Sequence, residues 1–378
     1  MTYYFDHAAT GLPRAPAALK AATRAMNMGS AQRGIHQSAM AASEVIARAR
    51  DAIAPLIGVS SQTHAVCFLP STTAALNQTI LGIRPRPRRI AIDPLAHNAA
   101  YRPVMALAQQ QGIPYWILPN TPEGLIDCSQ LAATWQTDTD VVVLTHASNV
   151  TGIVQPVDTV ISMAHQTGAK VVIDAAQTVG VINTHGLAAA DAIAFGGHKG
   201  LRSLPGVGVL AVSHGLTLEP LIYGGTGGEA AAETMPELLP QRLEAGTPNL
   251  PAIAAMSAQA ANVTKFSKPD VLVHDLREAV TAGGGQIVTT SKSPAVPIVS
   301  FTLPGIIPSE AADILERCFD IQLRSGLHCA PLAHRTLGTF PNGTLRVSTG
   351  VTTAAADLEQ LTQALQGVSQ SYRQILHV

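Results

Sequence analysis

Seven short apolar runs, AVCFL, RIAI, PYWIL, VVVLTH, KVVIDA, AIAFGG and GVGVLAV, punctuate residues 60–215. Between them lie TTAALNQTILGI, AAYRPVMALAQQQG and PVDTVISMAHQTG, alanine-rich stretches with helical spacing that stop at glycine or proline. An apolar run without polar alternation is a strand buried on both faces, so helices must cover both sides of the sheet it joins. The alternation predicts buried parallel strands in a doubly wound α/β domain. Ligands of such a domain collect just beyond the carboxyl ends of the strands.

A different pattern follows. YGGTGGEAAAETMPELLPQRLEAGTPN holds too many turn formers for one regular element and reads as an ordered loop. After it, PIVSFTL, IQLRSG and TLRVSTG have strand character, while PSEAADILERCF and AAADLEQLTQALQGV are amphipathic helices, with Leu358, Leu361 and Leu365 on one face. At 378 residues the chain exceeds the usual span of one core. The expected division gives residues 1–15 to a segment joining the small domain, 16–250 to a large ligand-binding domain and 251–378 to a smaller C-terminal α/β domain.

Lys and Arg number 24 against 25 Asp and Glu, a net charge of −1. That balance offers no electrostatic footprint for nucleic acid or an anionic membrane. RPRPRR, Arg84 to Arg89, is broken by proline and reads as a solvated connector. No apolar run reaches bilayer-spanning length, and MTYYFDHAAT lacks the regions of a signal peptide, so a cytoplasmic location is expected. The four cysteines show no CxxC spacing, which excludes a local zinc knuckle. Cys67, Cys128 and Cys318 are expected in the core. A nicotinamide dehydrogenase shares the α/β alternation but needs a GxGxxG turn, which the chain lacks.

The residues just beyond the predicted strands are polar: Ser71, Thr72 and Thr73; His97; Ser148 and Asn149; Asp174 and Gln177; His198 and Lys199. Singly, each has a structural explanation. Asp174 with Gln177 has the spacing of a capping box, Thr72 can cap a helix, His97 can be a packed histidine, and Asn149 with Thr151 and Gly152 can be a turn. Together they supply a carboxylate, an amine, a flat imidazole and hydroxyls at a helix start, a set that suits pyridoxal 5'-phosphate. The carboxylate pairs with the ring nitrogen, the lysine takes the aldehyde, the helix start holds the phosphate and the imidazole stacks on the ring. The glycines of AFGGHKGLRS, Ala194 to Ser203, are expected to let the backbone approach the ligand.

FDHAAT, QRGIHQSA, STTAALN, LAHNAAYRP, HASNVTG, VVIDAAQTVG, FGGHKG, RLEAGTPN and RSGLHCAP, in this order from Asp6 to about Gly350, resemble the class V aminotransferase group and specifically its cysteine desulfurase branch. The compact RSGLHCAP loop is similar to that of the relatives of selenocysteine lyase. The resemblance implies a PLP-dependent transferase fold of the aspartate aminotransferase-like type I, with a mostly parallel seven-stranded sheet, in a homodimer. It implies that Lys199 carries the aldehyde, Asp174 pairs with the pyridinium, and Gln177 and Asn149 approach the ring hydroxyl. His97 stacks on the ring. Thr72, Thr73 and His198 contact the phosphate, joined by Thr226 from a partner subunit. Arg346, with Asn149, His36 and Arg324, receives the substrate.

Cys329 lies in a loop beside His328 and Arg324, and a neighbouring Arg or His cation favours a thiolate. The resemblance implies attack of its sulfur on the sulfur of a cysteine–cofactor adduct, giving L-alanine and a persulfide that passes to an acceptor protein. The chain departs from the family pattern at Ala96, Gly196 and Arg202 to Pro205. Selenocysteine lyase, another C–S lyase of a specialised pathway, and a non-catalytic sulfur carrier or scaffold remain alternatives at this stage.

Overall fold

All seven apolar runs form strands of a single sheet. In the computed structural model, which describes residues 2–31, 34–228, 231–263, 269–290, 293 and 295–376, these strands, numbered along the chain, are β2 (His64–Leu69), β4 (Ile90–Ile92), β5 (Tyr115–Ile117), β6 (Val141–Thr145), β7 (Lys170–Asp174), β8 (Ala192–Gly196) and β9 (Gly208–Ser213). Their order is β2-β9-β8-β7-β6-β4-β5. Pairing is parallel from β8 through β7, β6 and β4 to β5. The GVGVLAV run departs from the parallel expectation, since β9 is antiparallel to both β8 and β2. The reason lies in its connection: residues 197–207 carry no crossover helix, so the chain folds straight back.

Alternation along each strand splits the core in two. Val141, Val143 and Val172 pack with α3 (Thr72–Gly82) and α4 (Asn98–Gln111). Val142, Leu144, Val171 and Ile173 face the opposite way, into a core completed by α2 (Gln37–Ile53), α6 (Val157–Gln166) and α7 (Leu250–Ala260), with α5 (Cys128–Thr134) at its margin. Helix α1 (Pro16–Ala25) packs on α7. Thus α7, expected to open the small domain, buries Leu250, Ile253 and Met256 against the large sheet.

The small domain is built on an antiparallel sheet of β11 (Gln286–Ile287), β12 (Ile298–Thr302), β15 (Thr344–Ser348) and β14 (Arg324–Gly326). It is covered by α8 (Pro269–Ala282), α9 (Pro308–Phe319) and α11 (Ala355–Leu376), with Leu361 and Leu365 fully buried and Leu358 packed against them. The N-terminal segment joins this unit. Strand β1 (Tyr3–Tyr4) pairs with β13 (Ile321–Gln322), and Phe5 enters the same core. A short helix, α10 (Pro331–Thr336), follows the Cys329 loop.

The RPRPRR stretch keeps Arg86 and Arg88 exposed, as expected of a solvated connector; Arg84, in β3 (Ile83–Arg84) beside β10 (Thr217–Leu218), pairs with Glu219, while Arg88 and Arg89 reach Asp140 at 2.6 Å and Asp138 at 2.7 Å. Of the three cysteines expected in the core, only Cys67 is buried; Cys128 is partly buried and Cys318 is exposed, on the outer face of amphipathic α9. Among the described residues no helix is long and apolar enough to cross a membrane.

Candidate active site

The carboxyl ends of the parallel strands converge on one cavity of about 540 Å³ including its open mouth. Thr72, Thr73, His97, Asn149, Asp174, Gln177, His198 and Lys199 all line it, joined by Thr145 and Ser71. Eight residues scattered over more than a hundred positions are brought together because each lies at the end of a neighbouring strand or in the turn or helix start that follows it.

Ser71, in extended conformation, accepts from the Ala74 amide and so caps α3. The cap expected of Thr72 is therefore filled by its neighbour, and the Thr72 hydroxyl is left for the cavity. The unpaired amides of this first turn make an anion-binding end. A Cβ at Gly196 would meet Thr72 Oγ1 at 2.8 Å. The Thr72 hydroxyl thus occupies the space that a side chain at position 196 would need.

Asp174 ends β7 and is buried. The segment after it forms turns rather than a helix, so no capping box exists there. Its carboxylate accepts from the Ala176 amide at 3.0 Å, and Gln177 Nε2 donates to the Ala8 carbonyl at 3.0 Å. Burial pushes the Asp174 carboxyl above the usual range and the Lys199 charge pulls it partly back. Lys199 is the reciprocal case: burial lowers its amine and Asp174 opposes the shift. Two of the glycines around it are required by close protein packing. A Cβ at Gly200 would lie 2.4 Å from the Val179 carbonyl, and one at Gly197 would lie 2.8 Å from Met256 Cε.

His97 caps α4, its Nδ1 accepting from the Ala99 amide at 3.0 Å. Burial, aided by the Lys199 and Arg324 charges, lowers its pKa to about 4, so it presents a neutral ring. Burial also lowers His198 to about 4; its Nδ1 lies 3.1 Å from Thr10 Oγ1. Thr10 and Arg14 were not singled out from the sequence. Arg14 donates to the carbonyls of His198 at 2.9 Å and Ser203 at 3.0 Å, and to Thr10 Oγ1 at 2.8 Å. This arginine holds the lysine-bearing turn, and only its closeness to FDHAAT hinted at such a role.

Arg346 is 1% exposed. Its Nη2 donates to Asp6 Oδ1 at 2.6 Å and its Nη1 to the Asn149 carbonyl at 3.0 Å, while its Nε has no partner among the described residues. It sits opposite Arg324 in the β14–β15 register, which places the two arginines on one face of the sheet. Asp6 was missed as the anchor of this arginine. Asn149 Nδ2 donates to the His328 carbonyl at 2.8 Å, whereas its buried Oδ1 has no partner among the described residues.

Cys329 is exposed, with Arg324 Nη2 at 3.3 Å from its Sγ. Burial and the nearby Arg346 charge hold His328 down to about 2, so it is neutral. The cation beside the thiol is Arg324, not His328. Two further residues lie elsewhere in this chain. His36 is exposed and caps α2, and Thr226 lines a separate surface concavity with Gly34, Ile35 and Tyr223. Gln32 and Arg33 of QRGIHQSA, and Glu229 and Ala230 of the Gly-rich segment, lie outside the described residues.

The donor set fits pyridoxal 5'-phosphate. A buried carboxylate, a nearby lysine with a lowered pKa, a neutral flat imidazole, an orphaned amide oxygen at Asn149 and an anion-binding helix start border the same cavity.

Comparison with known proteins agrees with this geometry. The model of the family described as Aminotransferase class-V matches residues 3–361. The chain is 33% identical to a probable cysteine desulfurase of Pasteurella multocida, covering 96% of this chain and 88% of that one. A probable cysteine desulfurase of Pyrococcus abyssi is 28% identical, over 98% of this chain and 95% of the relative. The apo structure of the cysteine desulfurase from Thermococcus onnurineus NA1 superposes with a TM-score of 0.87 at 26% identity, covering 98% of this chain and 95% of that chain.

Proposed function

The chain belongs to the class-V aminotransferase family, in its cysteine desulfurase branch, and on that premise we propose that it takes sulfur from L-cysteine with the aid of pyridoxal 5'-phosphate. The observation that carries this reading is the exposed Cys329 thiol beside Arg324, on a loop tied by Asn149 to the Asp174–Lys199 cavity. Thr72, Thr73, His198 and the first amides of α3 would hold the phosphate, Asp174 the ring nitrogen, Gln177 and Asn149 the ring hydroxyl, His97 the ring face and Lys199 the aldehyde. When bound, the cofactor supplies an electron sink for charge developing on the substrate carbons.

The protein's own groups do the rest. Arg346 and Arg324 orient the substrate carboxylate. Lys199 Nζ, whose pKa burial lowers, accepts the Cα proton and returns a proton. Cys329 Sγ attacks the substrate sulfur, so that an S–S bond forms as the C–S bond breaks. The electron pair of that C–S bond goes to Cβ, which takes a proton. L-Alanine and a persulfide on Cys329 result, with no external oxidant or reductant. Incubation with L-cysteine and a thiol reductant is expected to yield alanine and sulfide in equal amounts; pyruvate and ammonia would mark elimination and overturn this reading.

The exposed position of Cys329 suits delivery of sulfur to an acceptor protein, and a free thiol nucleophile suits the reducing cytoplasm. A homodimer is supported by the surface around Thr226, where Ile35 is 96% and Tyr223 70% exposed, an apolar area that a second copy would cover. Thr226→Ala is therefore expected to weaken cofactor retention about tenfold or more, the worth of one charge-assisted hydrogen bond, although the side chain lies outside its own chain's cavity. Mixing these subunits with Lys199→Ala subunits is expected to restore retention at the sites that keep Lys199. Unchanged retention in Thr226→Ala, measured by dialysis and visible absorbance, contradicts the shared site.

A further inference from the structure

Beside the thiol, the backbone does something unusual. His328 and Cys329 both adopt left-handed conformations, with φ of 49° and 56°. Side chains with a Cβ rarely accept this geometry, and two in succession persist only where surrounding contacts over-determine them. Those contacts are present. The His328 carbonyl accepts from Asn149 Nδ2 at 2.8 Å, and the Cys329 carbonyl accepts from the Asn98 amide at 2.7 Å. Asn98 follows His97, so each grip comes from an element that also borders the cavity. The His328 ring is 2% exposed, with Nε2 3.0 Å from Thr344 Oγ1 on β15. Behind it stands His334, fully buried, 5.5 Å away between ring centroids and held by Thr339 Oγ1 at 2.7 Å.

We propose that His328 is a positioning residue for Cys329: its ring, anchored on Thr344, locks the left-handed pair so that the thiol is held against Arg324 and aimed at the substrate sulfur. This inference rests on the desulfurase reading and adds to it a role for a side chain that does not line the cofactor cavity. A charged His328 would not serve. A neutral ring fits a pocket that already faces Arg346, and its pKa near 2 keeps it neutral throughout the working range. The strained pair also accounts for a loop only a few residues long that exposes a thiol and still fixes its direction.

The test uses the purified holoenzyme and three variants, Thr344→Val, Thr344→Ser and His328→Leu. Thr344→Val removes one oxygen from a buried strand residue and keeps its shape, so it carries the test if His328→Leu does not fold. In Thr344→Val the cofactor absorbance and the KM for L-cysteine are expected to stay as in the wild type. Sulfur appearance on Cys329 in a quenched single turnover is expected to slow about 10- to 100-fold, the usual consequence of misplacing a reacting atom by about 1 Å. Alkylation of Cys329 by iodoacetamide, without substrate, is expected to slow as well, since the thiol is already exposed and loses only its guanidinium neighbour. Thr344→Ser, which keeps the hydroxyl, is expected to restore both rates.

Wild-type rates in Thr344→Val overturn the proposal. So does a parallel loss of cofactor and sulfur transfer in every variant, which would make the contact merely structural. A wild-type enzyme that never places sulfur on Cys329 is a separate failure, of the proposed reaction. The alkylation rates then still decide whether His328 positions the thiol.

Discussion

Lys199→Ala is expected to lose cofactor on dialysis and to lower L-cysteine turnover by at least about 10⁴-fold, because in the proposed reaction one amine would both anchor the aldehyde and move the substrate proton. The loss is expected without unfolding. Lys199 forms no ion pair among the described residues, and burial already opposes its charge. Deleting a buried amine that costs desolvation leaves the surrounding turn intact, since Arg14 holds that turn through backbone carbonyls of His198 and Ser203. Visible absorbance after dialysis, far-UV circular dichroism and an alanine assay check the three parts. Retained absorbance with a wild-type rate would remove Lys199 from the chemistry.

Cys329→Ser has the second large effect. Alanine formation from L-cysteine is expected to fall at least about a thousandfold, since a hydroxyl is a poor nucleophile toward sulfur and removal of a nucleophile costs this much or more. The resting absorbance is expected to be unchanged, because the side chain projects outside the cavity that holds Asp174 and Lys199. Cys318→Ser is the control: that thiol is also exposed, but among the described residues no arginine donates to it. Its rate is expected to stay at wild type. Survival of alanine formation in Cys329→Ser, measured as the initial rate at saturating L-cysteine, would replace nucleophilic sulfur transfer by elimination.

Much of this architecture was legible in the sequence because burial on two faces leaves an unmistakable pattern. The runs from Ala65 to Val212 needed no polar face, and the polar residue after each run marked the cavity. Direction was less legible. Val209 and Leu210 are as apolar as Val171 and Val172, so the antiparallel course of β9 shows only in the missing crossover helix. Membership was hidden likewise: Ile253 and Met256 of α7 are apolar whichever domain they join.

Long-range pairings left the weakest trace. Asp6 and Arg346 stand 340 positions apart and meet at 2.6 Å, and nothing local in FDHAAT or TLRVSTG specifies that contact. His328 shows the opposite difficulty. Beside Cys329 its sequence position invites a cation, yet the ring turns inward to Thr344 and leaves Arg324 alone with the thiol. Cys318 misled through type alone, for cysteine is usually buried, whereas amphipathic α9 turns this one outward.

The central claim is that sulfur from L-cysteine comes to rest on one side chain. Brief incubation of the holoenzyme with L-cysteine, alkylation, digestion and peptide mass spectrometry test it directly. A single added sulfur atom is expected on the peptide containing Cys329, absent from Lys199→Ala protein treated in the same way. Added sulfur on the peptides of Cys67, Cys128 or Cys318 instead, or alanine formed with no sulfur on any of the four, would contradict it.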